Sequence, residues 1–128
     1  MVDIRARETV ILATDFSALV SWYARVLGFT IVKLFEDGFH YCNLETPSGI
    51  KIGIADAKEV GVHPADRQNN AVVLQIEVDD LKQFFAHLEQ AGASITKGPA
   101  YDEGGGFWFG GFADLEGNPI WVVDKNCP

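Results

Sequence analysis

The chain has 128 residues, 48% of them hydrophobic, and a formal net charge of −8. That size and apolar content suit one ordinary domain, or two small halves, and argue against disorder. The acidic balance excludes a sequence-independent grip on nucleic acid, which needs clustered Lys and Arg, and disfavours anionic membrane surfaces, but it suits a cationic ligand.

The opening stretch, MVDIRARETV, is charged and lacks the apolar core of a signal peptide, and no apolar run approaches the length of a membrane span. Glu8 to Ala13 is then a strand rich in β-branched residues. Asp15 or Ser17 offers a side-chain oxygen to cap a helix whose apolar positions are Leu19, Trp22, Tyr23, Val26 and Leu27, and Gly28 ends it. His40, Tyr41 and Asn43 fall in a strand region, and TPSGIKIGI (46–54) is a turn running into another strand. The polar stretch AKEVGVHPADRQN, with Gly61 and Pro64, reads as a linker.

The pattern then repeats. Val72 to Val78 is a strand, Asp80 and Gln83 form a capping box, and Leu81, Phe84, Phe85, Leu88 and Ala91 make the apolar helix face up to Gly92. Thirteen positions separate Asp15 from Gly28 and Asp79 from Gly92. Gly104, Gly105 and Gly106 form a loose loop into FWFGGF, and Asp114 to Pro119 is a turn led by an aspartate. TPSGIKIGI lies 68 positions before DLEGNPIWV, so Gly49 matches Gly117, Ile52 matches Ile120 and Gly53 matches Trp121. The units span about 7–56 and 68–124, joined by a linker of about 57–67, within one domain of 1–128.

Alternate strand residues face opposite ways. The apolar row Val72, Leu74, Ile76, Val78 belongs under the helix, leaving Val73, Gln75 and Glu77 toward a wetter cavity. Ile52 and Ile54, and likewise Ile120 and Val122, go under their helices, which leaves Lys51, Gly53 and Trp121 on the cavity side.

With its WYARVLGF and FADLEGNPIWVVD segments, the chain resembles the vicinal oxygen chelate superfamily of glyoxalase I, bleomycin-resistance proteins and extradiol dioxygenases. The resemblance rests on Asp15, Trp22-Tyr23 and Leu27-Gly28, on Asp114-Leu115-Glu116-Gly117-Asn118-Pro119, and on the repeat. It implies an α+β fold in which two βαβββ modules in tandem form a curved mixed sheet around a cleft. In the family's enzymes that cleft holds a divalent metal, and the four ligand positions fall here at Glu8, Gly53, near Val73 and at Trp121. Three of these cannot ligate, so no metal and no cofactor is expected at that position.

Several residues then become candidates for the cleft. Trp108 and Trp121, with Phe107 and Phe109 nearby, form an aromatic wall or simple core packing. Gln75, Glu77, Tyr41, Asn43 and Lys51 line the same space, and Tyr101 sits on a lid beside the glycine loop. Glu8 and Glu77 are the candidate catalytic bases; Glu8 is otherwise a solvated residue of a charged segment. The histidines His40, His63 and His87 miss the family's metal positions, and a different site of His40, His63 and a carboxylate is the alternative they leave open. Cys42 and Cys127, far apart in no metal or redox spacing, are two free thiols of a cytoplasmic protein.

The expected function is metal-independent binding of a small aromatic or cationic molecule in an acidic, Trp-lined cleft, by a homodimer with no nucleic-acid or membrane partner. The alternative is a glyoxalase-like lyase or isomerase that uses an atypical metal site or a Glu base, which leaves enzymatic activity open.

Overall fold

The computed structural model describes residues 2–128. The fold is α+β and holds two similar modules in tandem, each a four-stranded mixed sheet with one helix. The chain divides into two compact units, one ending at Pro64 and the other running Ala65–Pro128.

Module one contains β1 (Thr9–Ala13), α1 (Phe16–Val26), β2 (Thr30–Phe35), β3 (Tyr41–Glu45) and β4 (Lys51–Asp56), with sheet order β1-β4-β3-β2. β1 runs parallel to β4, and the other pairs are antiparallel. Asp15 caps α1, its carboxylate accepting the Ala18 N–H at 3.2 Å, and Gly28 adopts the left-handed φ of 73° that turns the chain out of the helix. The buried face of α1 carries Leu19, Trp22, Tyr23 and Val26, and it packs with Cys42, Leu44, Ile52 and Ile54 from the strands. Tyr23 anchors this core, edge-on to both Trp22 and Phe29.

Module two contains β5 (Leu74–Val78), α2 (Leu81–Gln90), β6 (Ser94–Asp102), β7 (Phe107–Ala113) and β8 (Pro119–Asp124), in the order β5-β8-β7-β6. Asp80 caps α2 by accepting the Gln83 N–H at 3.1 Å. Asp80, not Asp79, is thus the counterpart of Asp15, and α2 is one residue shorter than α1. Leu81, Phe85 and Leu88 pack on Phe112, Ile120 and Val122. A Cβ at Gly110 would overlap the Phe85 ring, so glycine there lets the helix lie close on β7.

The 68-residue repeat extends to individual hydrogen bonds. In module one, Thr46 N donates to Ile50 O, Gly49 N to Thr46 O, and Ile50 N to Thr46 Oγ1. In module two, Asp114 N donates to Asn118 O, Gly117 N to Asp114 O, and Asn118 N to Asp114 Oδ1. Both turns need a glycine at the same place, with φ of 101° at Gly49 and 91° at Gly117.

Three sequence expectations change. The second module's first strand starts at Leu74, and Val72 lies outside it at 85% exposure. The first strand starts at Thr9, leaving Glu8 just ahead of it. The linker contains two short 3-10 turns, Lys58–Val60 and Arg67–Asn69. The second is pinned to the Asp114–Asn118 turn: Arg67 pairs with Glu116 at 2.7 Å and donates to Asn118 Oδ1 at 3.1 Å, with the paired side chains only 9% and 10% exposed.

Candidate functional site

Each sheet has one face under its helix and one face opposite. On the helix-free face of module one, register places Val10, Gly53 and Asn43 side by side. Glu8 reaches onto this face. Its Oε1 accepts the Tyr41 hydroxyl at 2.7 Å and Asn43 Nδ2 at 2.9 Å, and its Oε2 lies 3.1 Å from the same Nδ2. Three of the expected residues, Glu8, Tyr41 and Asn43, thus form one hydrogen-bonded group. Burial, and then the Glu8 carboxylate, push the Tyr41 hydroxyl up to about 12. Lys51 opens β4 in register with Glu45, exposed at the edge of the same face.

Gly53 allows this arrangement. A Cβ there would overlap the Tyr41 hydroxyl and crowd the Glu8 carboxyl carbon at 3.1 Å. The place where the resemblance puts a metal-ligating side chain is therefore filled by Tyr41. With Val73 and Trp121 also lacking donors, these residues do not fit a metal held in the family's manner.

In module two the corresponding residues are Gln75, Trp121 and Gly111, again side by side. Here the face is a cavity of about 920 Å³, lined by Gln75, Thr96, Phe107, Phe109, Gly111 and Trp121 among others. Trp121 is 58% exposed, a large apolar surface for a residue in the middle of a strand. Phe107 and Phe109 lie 6.1 Å apart between ring centroids, and Lys97 holds its ammonium 5.1 Å from the Phe109 ring centre. Tyr101 and Cys127 contribute to the rim, while Glu77 shares the parity of Gln75 and is solvent-exposed without lining the cavity.

Trp108 requires a correction. Its parity is that of Gly110 and Phe112, so it projects on the helix side of β7 and does not share a face with Trp121. Its ring packs on Tyr101 at 5.3 Å, with the Lys82 ammonium of α2 4.3 Å from its centre. The aromatic wall is Trp121 with Phe107 and Phe109. The acidic lining also changes: Lys97 offsets Asp102, and the Asp114 carboxylate is engaged by Glu116 N, Asn118 N and Asn118 Nδ2 of its own turn.

Lys97, Thr96, Gln68 and Cys127 also line the cavity, beyond the residues that the sequence pattern assigns to it. The alternation along β6 would have raised Thr96, but no pattern marks Gln68 or Cys127. His40 does not meet His63; its ring Nδ1 lies 2.5 Å from Glu59 Oε2, and its backbone N–H donates to Glu59 Oε1 at 2.8 Å. The Glu59 hydrogen bond raises the His40 pKa, and the His40 backbone N–H and then its ring lower that of Glu59.

Comparison with known proteins agrees with this architecture. The model of the glyoxalase/bleomycin resistance protein/dioxygenase superfamily matches residues 5–122. The chain belongs to that superfamily. Among solved structures, a superfamily member from Sphaerobacter thermophilus superposes with a TM-score of 0.77 at 17% identity, covering 96% of this chain and 98% of that one. TioX from a Micromonospora species gives 0.70 at 22% identity, with 93% and 98% covered. An integron cassette protein from V. cholerae gives 0.67 at 24% identity, with 98% of each chain covered. At these identities the likeness is one of fold. No curated protein sequence matches the chain. No helix among the described residues is long and apolar enough to cross a membrane.

Proposed function

We propose that this superfamily member binds a small aromatic molecule, favoured when it carries positive charge, on the Trp121 face of module two, without a metal at the family's position. The observation that carries this reading is Trp121, 58% exposed in a cavity of about 920 Å³ that also presents Phe107 and Phe109. An indole face stacks on planar ligands and attracts cations, each contact contributing about 0.5–2 kcal/mol. The net charge of −8 favours cationic ligands at long range. The Lys97 ammonium over Phe109 is an internal example of the same attraction. The test is tryptophan fluorescence during titration with a panel of planar cations. Trp22 and Trp108 also emit, so Trp121→Ala serves as the control. A saturable response absent from that variant supports the reading, and a silent wild-type protein across the panel sinks it.

A second reading draws on module one. A glutamate whose two oxygens are oriented by Tyr41 and Asn43 has the form of a positioned general base, as a glyoxalase-like isomerase or lyase requires. Glu8→Gln keeps the shape of the group and removes the base. An isomerase or lyase activity unaffected by that change would end this reading.

The proposal includes a cytoplasmic homodimer. Symmetric pairs are the commonest assemblies, and Ile31, Val32 and Leu34 of β2 are exposed apolar residues of the kind a partner covers. Sedimentation equilibrium at micromolar concentration measures the state, and a single monomeric species would remove the dimer from the proposal.

A further inference from the structure

A second cluster lies in module one, apart from the Glu8 group. His40 precedes β3 and packs edge-on against Phe16 of α1, Asp56 ends β4, and Glu59 lies in the 3-10 turn Lys58–Val60. Each presents one ligating atom, and the three atoms lie within 4.8 Å of one another.

The repeat shows what is unusual here. Asp124 of module two is the counterpart of Asp56, 68 positions on. Both of its oxygens are engaged: Oδ1 accepts the Asn126 N–H at 3.0 Å, and Oδ2 accepts the Trp108 N–H at 3.2 Å. In module one the first bond is reproduced, with Asp56 Oδ1 accepting the Lys58 N–H at 3.0 Å. The second is missing. His40 stands where module two has Trp108, and its N–H goes to Glu59 instead. Asp56 Oδ2 therefore receives no hydrogen bond from the described residues, and a carboxylate oxygen of Asp56 lies within 4.8 Å of the ligating atoms of an imidazole and a second carboxylate. Glu59 has Cys127 as its counterpart, so module two has no equivalent set.

We propose that His40, Asp56 and Glu59 bind one first-row divalent metal ion. A neutral imidazole and two carboxylates supply the donor types that such ions take, and their two negative charges match the ion. Binding replaces the direct His40–Glu59 contact with the wider spacing of two ligands on one ion. The half-exposed position leaves the remaining coordination to water. The ion ties together the start of β3, the end of β4 and the linker turn, and it stands independently of the ligand-binding reading in module two.

The test is a Co²⁺ titration of the metal-stripped protein followed by absorption, which separates nitrogen and oxygen ligation from thiolate ligation by Cys42 or Cys127. The expected result is one ion per chain, with visible d–d bands and no thiolate charge-transfer band. Loss of a direct ligand weakens binding by at least the factor of about ten that loss of a supporting residue costs. His40→Ala, Asp56→Asn and Glu59→Gln should each show this, while His63→Ala binds as the wild type does. Thermal unfolding of each variant without metal confirms that it folds. No binding at millimolar Co²⁺, a thiolate band, or full binding in folded His40→Ala and Glu59→Gln would overturn the proposal.

Discussion

Across the helix-free face of module one run Val10, Gly53 and Asn43; across that of module two run Gln75, Trp121 and Gly111. The strands, pairings and turns correspond, yet the large and small residues have changed strands. In module one the glycine in β4 makes room for Tyr41, and the space closes into a polar group around Glu8. In module two the indole in β8 stands beside a strand position with no side chain, and the face remains a cavity. A duplicated backbone can therefore keep its turn hydrogen bonds, caps and core while one copy fills its face and the other leaves it open. The difference runs through the strand position held by Gly53 in one copy and Trp121 in the other, and through Tyr41, which fills the space that Gly53 leaves.

Four measurements break or sharpen this contrast, starting with the largest effect. The turn of module two is braced by Arg67, whereas the matching turn of module one closes with Thr46 and backbone bonds. Arg67→Ala removes the largely buried ion pair with Glu116 together with the hydrogen bond to Asn118 Oδ1, and chemical denaturation should show a loss of about 3–5 kcal/mol. Next, Trp121→Ala should weaken binding of a planar cation by about 2 kcal/mol, roughly thirtyfold, as loss of an aromatic anchor does. Stability should move by no more than about 0.5 kcal/mol because the indole is largely exposed.

Gly53→Ala tests the filled face directly. Overpacking against Tyr41 should cost of order 1–3 kcal/mol, and most of that cost should vanish in a Tyr41→Ala background. Independent, additive effects would show that Gly53 is not there to admit Tyr41. The smallest effect is Tyr41→Phe, which removes one hydrogen bond to a carboxylate and should cost about 1–2 kcal/mol at neutral pH. It also has a pH signature. The hydroxyl is raised from 10.0 to about 12 in the folded chain, which holds that proton more tightly than the unfolded chain does. The stabilisation is full below pH 10 and is lost as pH rises through about 12. The Phe variant should lose this alkaline limb in pH-dependent unfolding.

Much of the fold is legible in the sequence because its signals are local and repeated. The caps at Asp15 and Asp80, the left-handed glycines at 28 and 92, and the alternation Ile120-Trp121-Val122 each need only a few neighbouring residues. The misses come where a signal is saturated or distant. Phe107-Trp108-Phe109 carries no polar alternation, so nothing in the run distinguishes the helix side from the cavity side. Val72 continues an apolar row past the end of its strand, where pairing rather than polarity decides. Arg67 and Glu59 lie in a linker whose composition reads as solvated loop, and their partners Glu116 and His40 are 49 and 19 positions away. The grouping of Glu8 with Tyr41 and Asn43 depends on strand register, which brings β1 and β3 to either side of β4.

The two cysteines give the molecule a chemical handle. Cys42 is fully buried, and that burial pushes its thiol up to about 11, so at neutral pH it is both shielded and protonated. Cys127 is partly exposed and lies on the rim of the Trp121 cavity. A thiol-reactive dye added to the native, unmutated protein should therefore attach once per chain, at the cavity that Trp121 also lines. Energy transfer from tryptophan to a label at Cys127, taken as the difference between the wild type and Trp121→Ala because Trp22 and Trp108 also emit, would report what enters that cavity.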